Sequence, residues 1–485
     1  MDRTEIVCRF LERDLCVHPT VLHEIASRED PDEFVERFLS SVKKKGIITL
    51  QDLQSFDVEV RRGGRRAAEE YESEVEIRDP GEASPAKGSL EGFVQYFNSR
   101  YEKGLRVFRE RSHLKGTITV SRALEAAQGS EVKVVGLVTE IRKSKKGNTI
   151  LVIEDPTGTV PAVIPSSESR LADLSKSIVH DDVVCVDGVI YSNKGNIIIA
   201  NELFLPDVPI EKDRGKGGGV PLSIALVSDI HLGSYEFMER EFMRFIKWLR
   251  GEVGSEKQKR LAESVKYLVV AGDVVDGVGI YPGQLNDLQI KDIYEQYSRV
   301  AELLEMVPDY IDIIISPGNH DATSQAEPQP AIFRDFAERL YENPSIRMVG
   351  NPCYVKLHGT SVLVYHGRSM DDIISTVPGM SYSRPETAML ELLKKRQLVP
   401  IFGEKVPVSP RGMDCLFIDE VPDIFHTGHV HTTGASSYRG INIINSGAFQ
   451  SQTEYQRKLN LHPDPGKVPI FNMETGKTVI MKFAG

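Results

Sequence analysis

Five segments in the C-terminal half of the sequence end in polar loops whose side chains can bind metal ions. Four of them begin as apolar runs typical of buried strands, SIALVSDIHLGS, YLVVAGDVVDG, DIIISPGNHD and SVLVYHGR, and the fifth is FHTGHVHTTG. This alternation of strands and polar loops is typical of an α/β domain. The candidate metal ligands in these loops are Asp229, His231, Asp273, Asn319, His366, His429 and His431.

The carboxyl ends of strands in an open α/β sheet meet at one crevice, so we expect these side chains to lie close together. Imidazole and oxygen ligands without thiolate favour Mn²⁺, Fe or Zn²⁺ over an all-oxygen cage. Seven ligands are too many for one tetrahedral ion, and a bridging Asp273 would divide them between two ions about 3.5–4 Å apart. Each motif alone can be a helix cap or chance, but their joint order at strand ends predicts a two-metal site.

The overall composition is compatible with a multidomain enzyme. A chain of 485 residues exceeds what one hydrophobic core usually organises. The five cysteines form no CxxC pair, which argues against a disulfide framework and against a zinc ribbon. The net charge of −11 argues weakly against nucleic-acid binding, although it includes carboxylates that would hold cations. No secretion signal or run of about 18 apolar residues is present, so we expect a cytoplasmic protein without membrane association.

The N-terminal part of the sequence predicts a small helical domain followed by a linker. Apolar residues recur at helical spacing in residues 1–56, where Asp30 is a candidate helix N-cap and Gly46 a helix stop. Residues 57–113 are predicted to be a flexible linker and a helix, because charge, glycine and proline at first replace the apolar period. The arginines of this linker are expected to be solvated, with phosphate binding as the alternative. They are Arg61, Arg62, Arg65 and Arg66.

Short β-rich runs in residues 114–212 predict a small closed barrel whose opening meander is similar to that of an OB-fold. OB-folds commonly bind single strands through basic grooves and stacked aromatic rings. The first loop is basic, but aromatic residues are nearly absent from the strands, so DNA binding and protein docking are equal alternatives. The candidate DNA contacts are Arg142, Lys143, Lys145 and Lys146. Residues 213–219 predict a glycine-rich hinge, and residues 220–485 form the α/β domain.

Two resemblances narrow this description. The series SDIHLG, GDVVDG, GNHD, YHGR and GHVH resembles the calcineurin-like metallophosphoesterase superfamily. The stretch YPGQLNDLQIKDIYEQYSRVAELLEMVP and the closing NSGAFQSQTEYQ, with the barrel upstream, are similar to the small subunit of the archaeal family D DNA polymerase. Together they imply a multidomain α+β protein with a helical N-terminal unit and an OB-fold barrel. Its C-terminal metallophosphoesterase domain would be a layered β-sandwich flanked by helices.

The resemblance also implies a role for each site residue. One metal ion would be held by Asp229, His231, Asp273 and His431. The other would be held by Asp273, Asn319, His366 and His429. His320 would be the catalytic acid, and we expect the neighbouring Asp321 to orient it. The implied cofactor is two divalent ions, with Mn²⁺ favoured and Fe, Zn²⁺ or Mg²⁺ as alternatives. Many phosphoesterases carry an arginine after the second motif, where this chain has Gly277.

These observations lead to three hypotheses for function. The first is a 3′ to 5′ proofreading exonuclease that releases 5′-mononucleotides from single-stranded or mismatched DNA ends. It would be the small subunit of a replicative polymerase, in a heterodimer or higher assembly with a large catalytic subunit, and its N-terminal domain could recruit other replication factors. The second is a catalytically silent scaffold for that large subunit. The third, a stand-alone metallophosphoesterase or repair nuclease, is disfavoured because such an enzyme needs no docking platform.

Overall fold

The structure, a computed structural model, describes residues 3–27, 31–42, 46–50, 52–53, 67–80, 88–192, 195–210 and 219–484. The chain divides into a first unit, residues 1–71, and a second unit, residues 72–485. The candidate N-cap Asp30, the linker arginines and residues 213–218 of the predicted hinge lie outside the described residues. None of the helices described is long and apolar enough to span a membrane.

The first unit combines short helices with one pair of strands. Its helices are α1 (Arg3–Leu11), α2 (Pro19–Ala26) and α3 (Pro31–Ser41), and its strands β1 (Leu15–Val17) and β2 (Gly46–Ile48) pair in parallel. Proline at the first position of α2 and α3 suits a helix start, because the amide hydrogen that it lacks would have no partner there. The apolar residues of the helical period meet in one core, which includes Ile6, Phe10, Val21, Ile25, Val35 and Phe38.

Residues 57–113, predicted to be a flexible linker and a helix, contain a strand as well as a helix in the part that belongs to the second unit. Residues Val75–Arg78 form β3, and a long helix, α4, spans Leu90–Arg109. The strand pairs in antiparallel fashion with β13 (Cys353–Leu357), so this part of the predicted linker is the edge of a sheet. Helix α4 begins at Ser89, whose side chain accepts a hydrogen bond from the backbone of Gly92. The prediction of a flexible linker is therefore wrong for Val75–Arg78, which form β3.

A buried ion pair connects α4 to the C-terminal part of the chain. Arg100 is 1% exposed, and its Nε donates to Oδ2 of the fully buried Asp414 at 2.8 Å. The same guanidinium also donates to the carbonyl oxygens of Val399 and Pro400. Because an unpaired buried charge is costly, this network holds α4 in one register.

A closed barrel follows α4. It contains β4 (Glu131–Lys143), β5 (Thr149–Asp155), β6 (Gly158–Ile164), β7 (Val183–Ser192) and β8 (Asn196–Phe204), in the order β4-β5-β6-β8-β7. Two short helices, α5 (Val120–Glu125) and α6 (Ser169–Leu174), accompany it. Alternate apolar residues of the strands fill its interior. A side chain at Gly136 or Gly188 would collide with the backbone of a neighbouring strand, which explains glycine at both places.

The first large sheet carries three of the five ligand-bearing loops. Its order is β12-β11-β10-β9-β18-β19, and β9 to β12 are parallel. The strands are β9 (Ser223–Val227), β10 (Val265–Ala271), β11 (Asp312–Ser316), β12 (Ile346–Met348), β18 (Lys467–Asn472) and β19 (Lys477–Lys482). One face packs on helices α7 (Glu239–Leu249), α8 (Glu256–Glu263), α9 (Ile293–Leu304) and α10 (Arg334–Glu342). Every residue of β9, β10 and β11 is buried, so both faces of these strands are covered.

The second large sheet has the order β16-β17-β15-β14-β13-β3 and carries the other two loops. Its remaining strands are β14 (Thr360–Val364), β15 (Ile424–Thr427), β16 (Gly434–Tyr438) and β17 (Ile441–Asn445). Helices α11 (Met370–Thr376) and α12 (Pro385–Lys395) cover one face, and a short α13 spans Glu454–Lys458. The buried second faces of the two sheets are typical of a β-sandwich.

Candidate metal centre

Loops after β9 and β15 bring together the first group of predicted ligands. The ligand atoms of Asp229, His231 and His431 all lie within 4.8 Å of one another. Nε2 of His231 is 3.1 Å from Nε2 of His431, which in turn is 3.5 Å from Oδ1 of Asp229. Two ring nitrogens and a carboxylate oxygen thus point at one position, as cation ligands would.

The second group lies beside the first. Asp229, Asp273 and His366 also have ligand atoms within 4.8 Å of one another. Nε2 of His366 is 3.3 Å from Oδ2 of Asp273 and 3.1 Å from Oδ1 of Asn319. The same Oδ2 of Asp273 is 3.7 Å from Nε2 of His231 in the first group. Asp273 therefore lies between the two groups, where a bridging ligand would be needed.

His429 differs from the other predicted ligands in its contacts. Its backbone amide donates to both carboxylate oxygens of Asp229, at 3.1 and 2.9 Å. Its ring centroid is 5.2 Å from that of His366, but its Nε2 lies 3.3 Å from Oδ2 of Asp371 on α11. The structure thus brings five predicted ligands into two adjoining groups that share Asp229, joins Asn319 to the second group through His366, and places His429 at their edge. Sequence reasoning missed Asp371, which belongs to none of the motifs.

The backbone is strained at most of the predicted ligands. Five of them have positive φ values, which only glycine adopts easily: Asp229 (51°), His231 (52°), Asp273 (53°), His429 (71°) and His431 (57°). A side chain at Gly318 or Gly428 would collide with the carboxylates of Asp273 or Asp229, so glycine is required beside these ligands. Strain of this kind costs about 1–3 kcal/mol per residue and is concentrated at functional sites.

Hydrogen bonds orient the histidine rings of the centre. Nδ1 of His366 donates to the backbone carbonyl of Ala271 at 2.9 Å, so the ring turns Nε2 toward Asp273 and Asn319. Nδ1 of His231 lies 3.0 Å from Oδ1 of Asp276, and Nδ1 of His431 lies 3.1 Å from Nε2 of Gln456. Such partners of the second nitrogen set the orientation of ligating histidines. Sequence reasoning did not include Asp276 among the site residues, although the motif GDVVDG contains it.

The charges of the centre are coupled through these contacts. Burial raises the pKa of Asp229, but the hydrogen bond and charge of His431 outweigh it and lower this pKa to about 2. The pKa of Asp273 is likewise lowered, because His366 and other histidines outweigh its burial. Burial lowers the pKa of His366, but the charge of Asp273 raises it to about 10. The aspartates are therefore ionised at neutral pH and depend on nearby positive charge.

His320 and Asp321 do not form the predicted pair. Nδ1 of His320 donates to the backbone carbonyl of Asp276 at 2.7 Å, and its ring centroid is 4.7 Å from that of His231. The carboxylate of Asp321 accepts instead from the backbone of Gly318 at 2.9 Å and from the hydroxyl of Tyr297 at 3.2 Å. The expectation that Asp321 orients His320 is thus corrected, because Asp321 braces the loop that carries the histidine.

The basic residues predicted to contact DNA lie around the β4–β5 turn of the barrel. Arg142 pairs with Glu140, and Nζ of Lys143 donates to the hydroxyl of Thr149 at 2.6 Å. Lys145 and Lys146 are exposed in the turn itself. The four residues therefore belong to the barrel and not to the strand-end loops, and the two lysines are the stronger candidates for phosphate contacts.

Comparison with known proteins gives two family matches. A family model for the B subunit of DNA polymerase alpha/epsilon matches residues 224–434, which include all seven candidate ligands. A model described as an OB-fold nucleic acid binding domain matches residues 132–206, so the barrel is an OB-fold.

Several relatives that match most of this chain are archaeal proteins named DNA polymerase II small subunit. The one from Methanothermobacter thermautotrophicus is 39% identical over 482 residues, which cover 96% of this chain and 98% of that protein. The one from Archaeoglobus fulgidus is also 39% identical, over 100% of this chain and 99% of that protein. The one from Thermoplasma acidophilum is 34% identical, over 100% and 93%.

Proposed function

The chain belongs to the family of archaeal DNA polymerase II small subunits, and from that premise we propose that its second unit is a two-metal phosphodiesterase. Its activity would be the 3′ to 5′ removal of nucleotides from DNA, and its C-terminal domain would be a metallophosphoesterase. The observation that carries this proposal is the meeting of Asp229, Asp273, His231, His366 and His431 at the ends of four strands, β9, β10, β14 and β15.

The donor set fits a pair of divalent cations. Buried carboxylates without a matching positive charge are costly, and two cations would compensate Asp229 and Asp273. One cation would be held by Asp229, His231, Asp273 and His431, and the other by Asp273, Asn319, His366 and His429. Since Nε2 of His429 faces Asp371 at 3.3 Å, Nδ1 is the nitrogen of His429 that would bind. When bound, such a pair neutralises phosphodiester oxygens and lowers the pKa of a water, with Mn²⁺ the favoured ion.

His320 would act on the leaving group. Its Nδ1 is engaged by the carbonyl of Asp276, so Nε2 is the atom that would give a proton to the leaving 3′-oxygen. In this hydrolysis the oxygen of water bonds to phosphorus, and the bond from phosphorus to the 3′-oxygen breaks. The products are a 5′-mononucleotide and a strand with a new 3′-hydroxyl.

A basic side chain from another loop would anchor the phosphate, because this chain has no arginine directly after the second motif. The second motif has Gly277 where an arginine is common, and a side chain at Gly277 would collide with the backbone of His320. Arg368, two residues after His366, donates to the carbonyl of Gln325 at 3.3 Å. The side chain of Gln325 donates to the carbonyl of Asn319 at 3.1 Å. Arg368 therefore lies at the rim beside a proposed ligand and is our candidate for the phosphate contact.

The remaining parts of the chain would connect this nuclease to replication. As in the relatives named as polymerase small subunits, we expect a large catalytic subunit to bind this chain and to carry out synthesis. The OB-fold would contribute DNA binding through its basic turn. The first unit would contact other replication factors.

The decisive experiment incubates the purified chain, alone and with its large subunit, with Mn²⁺ and a primer that ends in a mismatch. A single strand and a matched duplex serve as comparison substrates, and EDTA as the metal-free control. We expect Mn²⁺-dependent release of 5′-mononucleotides from the single strand and the mismatched end. Mn²⁺ binding without nucleotide release in either preparation would contradict the proposal and favour the scaffold. Release of phosphate from simple esters with intact DNA would favour a generic phosphatase.

A further inference from the structure

The loop that follows the second motif carries an exposed aromatic ring next to the proposed catalytic histidine. Tyr281 is 41% exposed, and its ring centroid lies 6.5 Å from that of His320. The hydroxyl of Tyr281 donates to Oδ2 of Asp287 at 3.0 Å. The ring is thus partly open to solvent while its far end is tethered, as in a surface that a planar ligand can stack on.

Hydrogen bonds from Gln284 hold this loop against Asp276, beside the metal centre. Gln284 is 1% exposed, and its side-chain amide donates to the backbone carbonyl and to Oδ2 of Asp276, at 2.8 and 3.0 Å. Its Oε1 accepts from the backbone amide of Ile280, the residue before Tyr281, at 2.9 Å. The same carbonyl of Asp276 holds Nδ1 of His320. Tyr281 and His320 are therefore positioned by one shared anchor.

We propose that Tyr281 is a binding residue that stacks on the base of the nucleotide carrying the leaving 3′-oxygen. This inference rests on the proposed function, because His320 marks the leaving-group side of the scissile bond. The nucleotide nearest His320 is then the penultimate one, and its base comes within reach of the neighbouring tyrosine ring. Every base presents a flat π face to such a ring, so the contact is independent of sequence.

The stacked arrangement selects a class of substrate. In a matched duplex the penultimate base is paired and stacked between its neighbours, so contact with Tyr281 requires that this base leave the helix. At a single-stranded or frayed mismatched end the base is not held in a pair, so moving it onto the tyrosine ring costs less free energy. Tyr281 therefore favours unpaired 3′ ends and contributes less to cleavage of a matched duplex.

The test compares three variants on single strands that carry one abasic residue. Tyr281→Ala removes the ring, Tyr281→Phe keeps the ring without the hydroxyl, and Leu285→Ala removes an exposed aliphatic side chain, 52% exposed, from the same loop. Cleavage in Mn²⁺ gives kcat and KM for each strand. The affinity for a thymidine trinucleotide, measured in EDTA, gives a second readout that does not depend on bound metal.

We expect Tyr281→Ala to lower kcat/KM on intact single strands by about 5- to 150-fold, the range of one base–aromatic stack. It should weaken trinucleotide binding in the same direction, while Tyr281→Phe and Leu285→Ala remain within about twofold of the unmodified chain. An abasic residue at the penultimate position should abolish the difference between Tyr281→Ala and the unmodified chain, and a terminal abasic residue should preserve it.

Two outcomes would overturn the inference while the proposed function stands. One is normal cleavage and binding by Tyr281→Ala when the unmodified chain is active. The other is loss of the difference with the terminal instead of the penultimate abasic residue. An unmodified chain that cleaves no strand contradicts the proposed function itself, and unchanged trinucleotide binding by Tyr281→Ala would then also reject the stacking surface.

Discussion

At the scale of single residues, the centre depends on side chains whose backbone is held in an unfavourable conformation. Asp229, Asp273 and His431 are not glycine, yet all have positive φ values. A residue chosen for stability alone would be glycine there, so their side chains must contribute something that offsets the strain. Hydrogen bonds to the ring nitrogens have a related effect. Asp276 occupies Nδ1 of one histidine and Ala271 occupies Nδ1 of another, so Nε2 of each ring is left to face a ligand position.

The first residue-scale prediction concerns His320→Ala. We expect Mn²⁺-dependent nucleotide release to fall by about 10²- to 10⁴-fold, because a positioned general acid contributes a factor of that size. Mn²⁺ content, measured by elemental analysis of the dialysed protein, should not change, since His320 is not one of the proposed ligands. His462→Ala in an exposed segment is the matched control and should retain full activity. Wild-type turnover by His320→Ala would reject the assigned role.

The second residue-scale prediction concerns pH and Glu327. Burial raises the pKa of Glu327 from its ordinary 4.5 to about 7 in the folded protein. The unfolded chain releases this proton first, so Glu327 makes the free energy of unfolding fall as pH rises from about 4.5 to 7. The titration of Glu327 contributes about 3 kcal/mol to this fall in the free energy of unfolding. Urea unfolding across this range should show a smaller fall for Glu327→Gln.

Glu404→Gln, which changes an exposed glutamate, is the control for that series and should follow the unmodified chain. Equal slopes for Glu327→Gln and the unmodified chain would contradict the raised pKa of Glu327.

At the scale of elements, context outweighs local composition at the strand β3. The strand β3 comes from a charged stretch that predicts a linker, and only one of its four residues is even partly buried. It forms because β13 offers it an edge with free backbone hydrogen-bonding groups. At the β4–β5 turn composition and structure agree: its glycine and lysines favour a loop, and the barrel leaves these lysines exposed to solvent.

The element-scale prediction concerns this turn. If Lys145 and Lys146 contact phosphates, the double change Lys145→Glu with Lys146→Glu should weaken single-strand binding. The slope of log K against log salt should become shallower by about 1.4, since each lost contact to a single strand removes about 0.7. Fluorescence anisotropy over a salt series measures it. The matched control is Lys257→Glu with Arg260→Glu on α8, outside the barrel, and an equal slope change there would contradict a specific role for the turn.

At the scale of the whole molecule, loops from both large sheets converge on one small volume that carries buried negative charge. Asp229 and Asp273 follow neighbouring parallel strands, whereas His366 and His431 come from loops of the other sheet. Cations bound there would connect the two sheets. Folding and metal binding are then thermodynamically coupled.

The whole-molecule prediction follows from this coupling. Mn²⁺ should raise the melting temperature of the second unit progressively with the logarithm of its concentration above Kd, with about 2.7 kcal/mol of stabilisation at a concentration of about 100 Kd. Asp273→Asn should abolish most of this shift, because Asp273 contacts both ligand groups. Differential scanning calorimetry measures it, with Asp173→Asn on the exposed side of the barrel helix α6 as the control. An unchanged melting temperature with Mn²⁺ would show that no ion binds the folded state in preference to the unfolded one.

The sequence by itself determined the order of strands and ligand-bearing loops, because an apolar run and the polar residues after it are adjacent in the chain. It also determined the barrel, whose alternation and turns are local signals. Only the tertiary structure decided that Asp276 rather than Asp321 orients His320, and that Asp371 contacts His429. The reason is physical: a hydrogen-bond partner is chosen by the packing of loops far apart in sequence, and no local pattern records that packing.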